Sequence, residues 1–253
     1  MNERISEIQK VAPHRPLTEY YADEAARHRW LRRVFDTTAV DYDRVESLMA
    51  FGSGRWYRRQ ALLRAGLTRG MQVLDVGTGT GLTAIEAARL SGSGTHVTGV
   101  DPSVGMLANA HLPAGMRVVE GRAEELPAAD SSFDFVSMGY ALRHVADLRV
   151  VFGEFFRVLR PGGRACVLEI TRPSGASATR WLRLYMRHFV PAMARVFGRS
   201  RDTPQLMRYY WDSIEACVPP QKVIEQMRAA GFTTVTRHVV LGIFSEYVAV
   251  KST

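Results

Sequence analysis

Val73-Leu74-Asp75-Val76-Gly77-Thr78-Gly79-Thr80-Gly81, followed by Val97-Thr98-Gly99-Val100-Asp101, is the stretch that decides the fold. The first segment reads as a buried strand that breaks into a glycine-dense turn and opens a helix over residues 82–90. The second reads as another buried strand, ending in a carboxylate 26 residues after Asp75. A turn with so little side chain lets backbone N–H groups close on a ligand, and the helix start beyond it favours an anion. An acidic residue at the tip of the next strand suits the two hydroxyls of a ribose. The pair predicts a nucleoside-containing cofactor lying across the carboxyl ends of parallel strands.

Outward from this stretch, strand and helix alternate, as in a doubly wound sheet. Strands are expected at 71–76, 95–100, 116–120, 133–138 and 165–170, with helices between them. One of these, 147–159, stops before Pro161-Gly162-Gly163. Residues 1–66 show no strand-like alternation and predict a helical N-terminal cap on a main domain over 67–253. The rhythm breaks after Ile170. Residues 171–218 predict a helical insertion, and 232–241 with 242–250 predict a terminal antiparallel hairpin. The fold class is therefore α/β: a Rossmann-like, seven-stranded, mostly parallel sheet with an antiparallel C-terminal hairpin, a helical N-terminal cap and a helical lid.

Bulk properties narrow the function classes. The hydrophobic fraction of 46% and charged fraction of 23% are those of a globular domain. No apolar run approaches the roughly 20 residues that span a bilayer, and the first ten residues carry no secretory pattern. Cys166 and Cys217 define no disulfide framework, and the seven histidines lack metal-ligand spacing, so no metal is expected. A cytoplasmic chain is the expectation. The net charge of +8 points to nucleic acid, an anionic membrane or an acidic substrate.

Asp-x-Gly-x-Gly-x-Gly over residues 75–81 resembles the first motif of class I S-adenosylmethionine (SAM) methyltransferases. Later segments follow that class in order: Gly121-Arg122-Ala123-Glu124-Glu125-Leu126-Pro127, Ser132-Phe133-Asp134-Phe135-Val136 and Arg157-Val158-Leu159-Arg160-Pro161-Gly162-Gly163-Arg164. More narrowly, the chain resembles the ubiquinone/menaquinone-biosynthesis C-methyltransferase family. Phe35-Asp36, Tyr42-Asp43, Leu48-Met49, Phe51-Gly52, Ala141-Leu142-Arg143-His144-Val145, Tyr209-Tyr210 and Pro219-Pro220 carry that likeness, which runs over about residues 34–250. The resemblance implies methyl transfer from SAM, with S-adenosylhomocysteine (SAH) as product, to a ring carbon of a prenylated quinol precursor. It implies cofactor contacts at Asp75, Gly77, Thr78, Gly79, Gly81, Asp101, Pro102, Met106, Arg122, Ala123 and Met138. It also puts Tyr42 in a segment covering the acceptor. Three departures stand out: members usually read Gly-Leu-Arg-Asn where this chain has Ala-Leu-Arg-His, Asn at Glu46, and Asp or Asn at Arg122. The acceptor is thus less defined than the reaction.

A sulfonium donor is already activated and needs chiefly positioning. A carbon nucleophile asks more, because a ring hydroxyl must lose its proton. His144 is the expected base, with Arg143 holding the developing phenolate. Over Arg180–Arg199, apolar residues at helical spacing oppose Arg180, Arg183 and Arg187, with a kink expected at Pro191. Such a helix serves as a lid, as a peripheral contact with the inner membrane surface, or as both. A specialised aromatic, polyene or polyketide-type acceptor, methylated at carbon or oxygen, is the main rival. A SAM-binding scaffold without turnover is another. Nucleic-acid methylation is disfavoured: Ser137-Met138-Gly139-Tyr140 replaces the Asn/Asp-Pro-Pro-Tyr of amino methylation, and neither cysteine follows proline. The oligomeric state stays open, a homodimer included.

Overall fold

Val73–Val76 (β1) is buried at all four positions because parallel strands flank it on both sides. The structure, a computed structural model, describes residues 10–253, so residues 1–9 of the expected cap lie outside the described residues. Parallel strands Val97–Asp101 (β2), Arg117–Glu120 (β3), Phe133–Gly139 (β4) and Leu159–Ile170 (β5) surround β1. The hairpin Thr234–Val240 (β6) and Phe244–Val250 (β7) adds antiparallel through β7. The sheet order is β3-β2-β1-β4-β5-β7-β6. Its direction of growth reverses between β1 and β4, which opens a crevice above their carboxyl ends.

Helices cover both faces. Gly54–Arg64 (α2) and Leu82–Ser91 (α3) share one core with Phe135, Cys166 and Leu168. Leu148–Val158 (α5) and Pro220–Ala229 (α9) pack on the other face, around Phe152, Phe155 and Met227. A third core lies above the carboxyl edge. There Trp30, Leu31 and Val34 of Glu24–Met49 (α1) meet Met186 and Val190 of the insertion, and Tyr209 and Trp211 of Thr203–Ala216 (α8). Cap and insertion thus form one helical cover.

Several local expectations are corrected. Residues 10–23 are not helical but run as a strap, with Leu148 N–H donating to Val11 and Val218 N–H to Pro13. Only then does the Asp23 carboxylate cap α1, accepting from Ala26 N–H at 2.7 Å. Residues 121–132 hold turns rather than a helix, pinned by Arg157 to the Leu126 and Ala128 carbonyls. The link from β2 to β3 holds only the short Val104–Ala108 (α4). In the insertion, Ala176–Leu184 (α6) and Val190–Phe197 (α7) are joined by a π-helical turn, Tyr185–Phe189. Pro191 cannot donate to the preceding turn, and the Val190 N–H reaches back five residues to Tyr185.

Candidate active site

The crevice is a cavity of about 730 Å³, floored by the glycine loop and roofed by α1. The loop leaves β1 under control of Asp75, which is buried and accepts from Thr78 Oγ1 at 2.8 Å and Ser137 Oγ at 2.6 Å. Burial pushes the Asp75 carboxyl up to about 6 against the pull of those hydroxyls. Loop amides are consumed internally: Gly77 and Thr78 N–H donate to the Val100 carbonyl, and Gly79 N–H to Asp101 Oδ2 at 2.8 Å. The expectation of free N–H groups closing on an anion is therefore corrected. What the glycines provide is close approach. A Cβ on Gly77, whose φ is +68°, would sit 2.6 Å from the Ala141 Cβ.

Asp101 lines the cavity and also accepts from Ser103 N–H at 2.8 Å. Burial raises its carboxyl to about 6, partly offset by the Ser103 and Gly79 amides. Of the predicted cofactor residues, Gly77, Gly79, Asp101, Pro102, Met106, Arg122, Ala123 and Met138 line the cavity. Asp75, Thr78 and Gly81 are buried and do not line it. Arg122 reaches His28 (3.2 Å) and Glu124 (3.5 Å), which line the same cavity.

The roof is tied down by two carboxylates. Asp36 accepts from Ser103 Oγ at 2.6 Å and Gly105 N–H at 2.9 Å, and Asp43 accepts from the Thr80 hydroxyl. His28, Leu31, Phe35 and Tyr42 then recur on the cavity side of α1. Three of these four were missed from sequence, although their spacing is that of one helix face.

At the acceptor end, His144 lies edge-on to Phe35 (5.2 Å) and stacks with Tyr209 (5.5 Å) and Tyr210 (5.8 Å). Its Nε2 is buried with no protein partner among the described residues. Burial, then the charges of Arg143 and Arg27, holds its pKa well below the usual value, so the ring is neutral. Arg143 is placed differently from expectation. Its guanidinium is taken by Glu169, Ser213 Oγ (3.2 Å) and the Tyr140 carbonyl (3.0 Å), and it lies off the cavity wall. It holds the Tyr140 carbonyl and faces the Tyr210 ring at 4.8 Å. Tyr140, at φ 61°, lines the cavity. A strained non-glycine backbone beside a cavity is visible only in the fold. Glu46 stands behind Tyr140, paired at 2.8 Å with Arg58, whose guanidinium faces the Tyr140 ring at 5.3 Å. Glu46 is thus paired with a buried arginine and does not line the cavity.

The ubiE/COQ5 methyltransferase family model matches residues 23–251. The chain belongs to that family. It is 35% identical over 185 residues to a demethylmenaquinone methyltransferase of Staphylococcus aureus (strain MRSA252), covering 72% of this chain and 77% of that protein. The protein of strain JH9 is 34% identical over the same length and shares. A SAM-dependent methyltransferase of Thermotoga maritima, described as a possible histamine N-methyltransferase, matches with a TM-score of 0.62 at 20% identity. That match covers 88% of this chain and all of that one (100%). Haemonchus contortus phosphoethanolamine N-methyltransferase 2, in complex with SAM, matches at 0.56 and 18% identity over 78% of this chain and 53% of that one. At such identities the structural likeness shows the fold alone. This ubiE/COQ5 methyltransferase is a SAM-dependent enzyme.

Proposed function

We propose that the enzyme methylates a ring carbon of a small aromatic acceptor, a prenylated quinol of the demethylmenaquinol or ubiquinol-precursor type. The observation that carries this reading is 35% identity to a demethylmenaquinone methyltransferase, together with an aromatic slot at His144 above the glycine loop. The residues present fit SAM: nothing lies within 4 Å of where a Cβ on Gly79 would sit, and Asp101 offers a carboxylate on the same wall. Asp101 would accept from the ribose hydroxyls, with Pro102, Met106 and Met138 against the apolar parts and Ala123 N–H toward the base. Bound SAM supplies an activated methyl group.

Phe35, Tyr42 and Tyr210 orient a flat ring and exclude water from it. Neutral His144 accepts the ring hydroxyl's proton at Nε2, and electron density moves to the adjacent carbon. That carbon would take the methyl group as the donor's carbon–sulfur bond breaks and SAH leaves; its own proton then passes to solvent, restoring aromaticity, and His144 returns its proton to the ring oxygen. Arg143 holds the Tyr140 carbonyl and faces the Tyr210 ring at 4.8 Å, so it acts as a positioning residue.

Among the described residues no helix is long and apolar enough to cross a membrane. A prenylated acceptor resides in one, so the reading includes peripheral contact through α6 and α7 at the inner membrane surface. Exposed Trp181 and Phe189 support this. The test is SAH release with a panel of reduced acceptors. Turnover on short-tailed demethylnaphthoquinols or benzoquinols, with the new methyl on ring carbon, is expected. Turnover confined to simple phenols or polyketide-like aromatics would overturn the quinol assignment.

A further inference from the structure

Outside the reaction cavity a second pocket, of about 640 Å³, lies between α7, residues 198–202 and the start of α8. Five arginines line it: Arg187, Arg195, Arg199, Arg201 and Arg208, against two carboxylates, Glu19 and Asp212. Asp212 is already engaged, by Arg187 and by the Tyr20 hydroxyl at 2.6 Å. Among the described residues, Arg195, Arg199, Arg201 and Arg208 have no carboxylate within 4.0 Å, and all four are exposed. The loop that carries Arg199 and Arg201 is nevertheless anchored. Buried Asp41 accepts from Arg199 N–H, Ser200 N–H (2.7 Å) and Thr203 Oγ1 (2.9 Å). Four like charges, two on an anchored loop and two on the helices that flank it, repel one another unless an anion joins them. Guanidinium forks match the oxygens of phosphate in pairs.

We propose that this pocket binds a phosphate ester, with the phosphodiester of an anionic lipid headgroup as its source. The assignment deepens the membrane-contact reading and rests on it only for that source. On the adjoining face of α7 and the π-helical turn, Phe189 (53% exposed) and Val196 (74%) lie seven residues apart, on one side of the helix. That arrangement sets apolar side chains for the acyl boundary beside cations at headgroup level.

The test uses the full chain in vesicle flotation, with phosphatidylcholine alone or with phosphatidylglycerol added, and glycerol 3-phosphate as soluble competitor. Calorimetry with glycerol 3-phosphate is run in parallel. The variants are Arg199→Gln/Arg208→Gln and, separately, Trp181→Ser/Phe189→Ser, with SAM affinity as the control of folding. The arginine variant is expected to bind phosphatidylglycerol vesicles about thirtyfold less tightly, near fivefold per arginine, with SAM affinity unchanged. Glycerol 3-phosphate binding that the same variant loses, without vesicle binding, would support the phosphate site and overturn the lipid source. Unchanged binding of both by the arginine variant would overturn the pocket. If vesicle binding then falls only in the Trp181/Phe189 variant, the membrane contact stands without it.

Discussion

At the scale of single residues, two ionisable groups that line the cavity each make a measurable prediction. The Asp101 carboxyl, raised to about 6 by burial, must be ionised to accept from ribose hydroxyls. SAM affinity is therefore expected to weaken about tenfold between pH 7 and pH 5 and to be flat above pH 7. Asp101→Ala should weaken it by about 10- to 100-fold at pH 7.5, the worth of a charge-assisted hydrogen bond. Calorimetry at a series of pH values checks both, and a pH-independent affinity would remove Asp101 from the ribose. His144 is neutral because burial and two nearby cations disfavour its charged form. The acid limb of kcat/KM is expected below pH 6.5, and His144→Ala should lower kcat at least about a hundredfold. Near-normal turnover in that variant would end its role as base. The glycine motif, Asp75 and Asp101 were legible in sequence because spacing alone places them on one sheet edge. The partners of Arg143 were not, since Glu169 and Ser213 reach it from distant segments.

At the scale of elements, the cover depends on a few buried polar anchors as well as on its apolar core. Asp41 joins α1 to the α7–α8 corner through three donors. Burial pushes its carboxyl up, but the Ser200 and Arg199 amides and the Thr203 hydroxyl outweigh that and hold it below the usual range. Asp41→Ala strands these donors and should cost about 3 kcal/mol in denaturant unfolding. The sign with pH follows from the depressed value. The stabilisation is complete above the unfolded pKa near 4 and is lost as pH falls through the folded one. The gap between wild type and variant should close below about pH 4, and a constant gap would exclude the ionised carboxylate as its cause. Elements with strong periodicity, such as α3, α5 and the terminal hairpin, were readable beforehand. The strap over residues 10–23 was not, because its backbone partners, Leu148 and Val218, are remote in the chain.

For the molecule as a whole, the reaction cavity belongs to two cores at once, the sheet below and the helical cover above. A cofactor bound there stabilises both. At a hundredfold excess over Kd, SAM should add about 2.7 kcal/mol and raise Tm by about 5–10 °C. Asp75 and Asp101, both raised, bind protons in the native state that the unfolded chain releases, so their contribution to stability falls between about pH 4 and pH 6. The Tm gain from SAM should accordingly be larger at pH 7.5 than at pH 5, as differential scanning fluorimetry would show. A gain that ignores pH would separate the cofactor from these carboxylates. The alternation of apolar runs and glycine turns determined, by itself, the sheet, its direction and the edge on which the cofactor loop opens, because those depend on neighbours along the chain. Tertiary structure alone decided which arginine was free and which was spent, that Glu46 answers Arg58, and that cap and insertion close as one cover. Those outcomes depend on side chains far apart in sequence competing for the same partners in a low-dielectric interior.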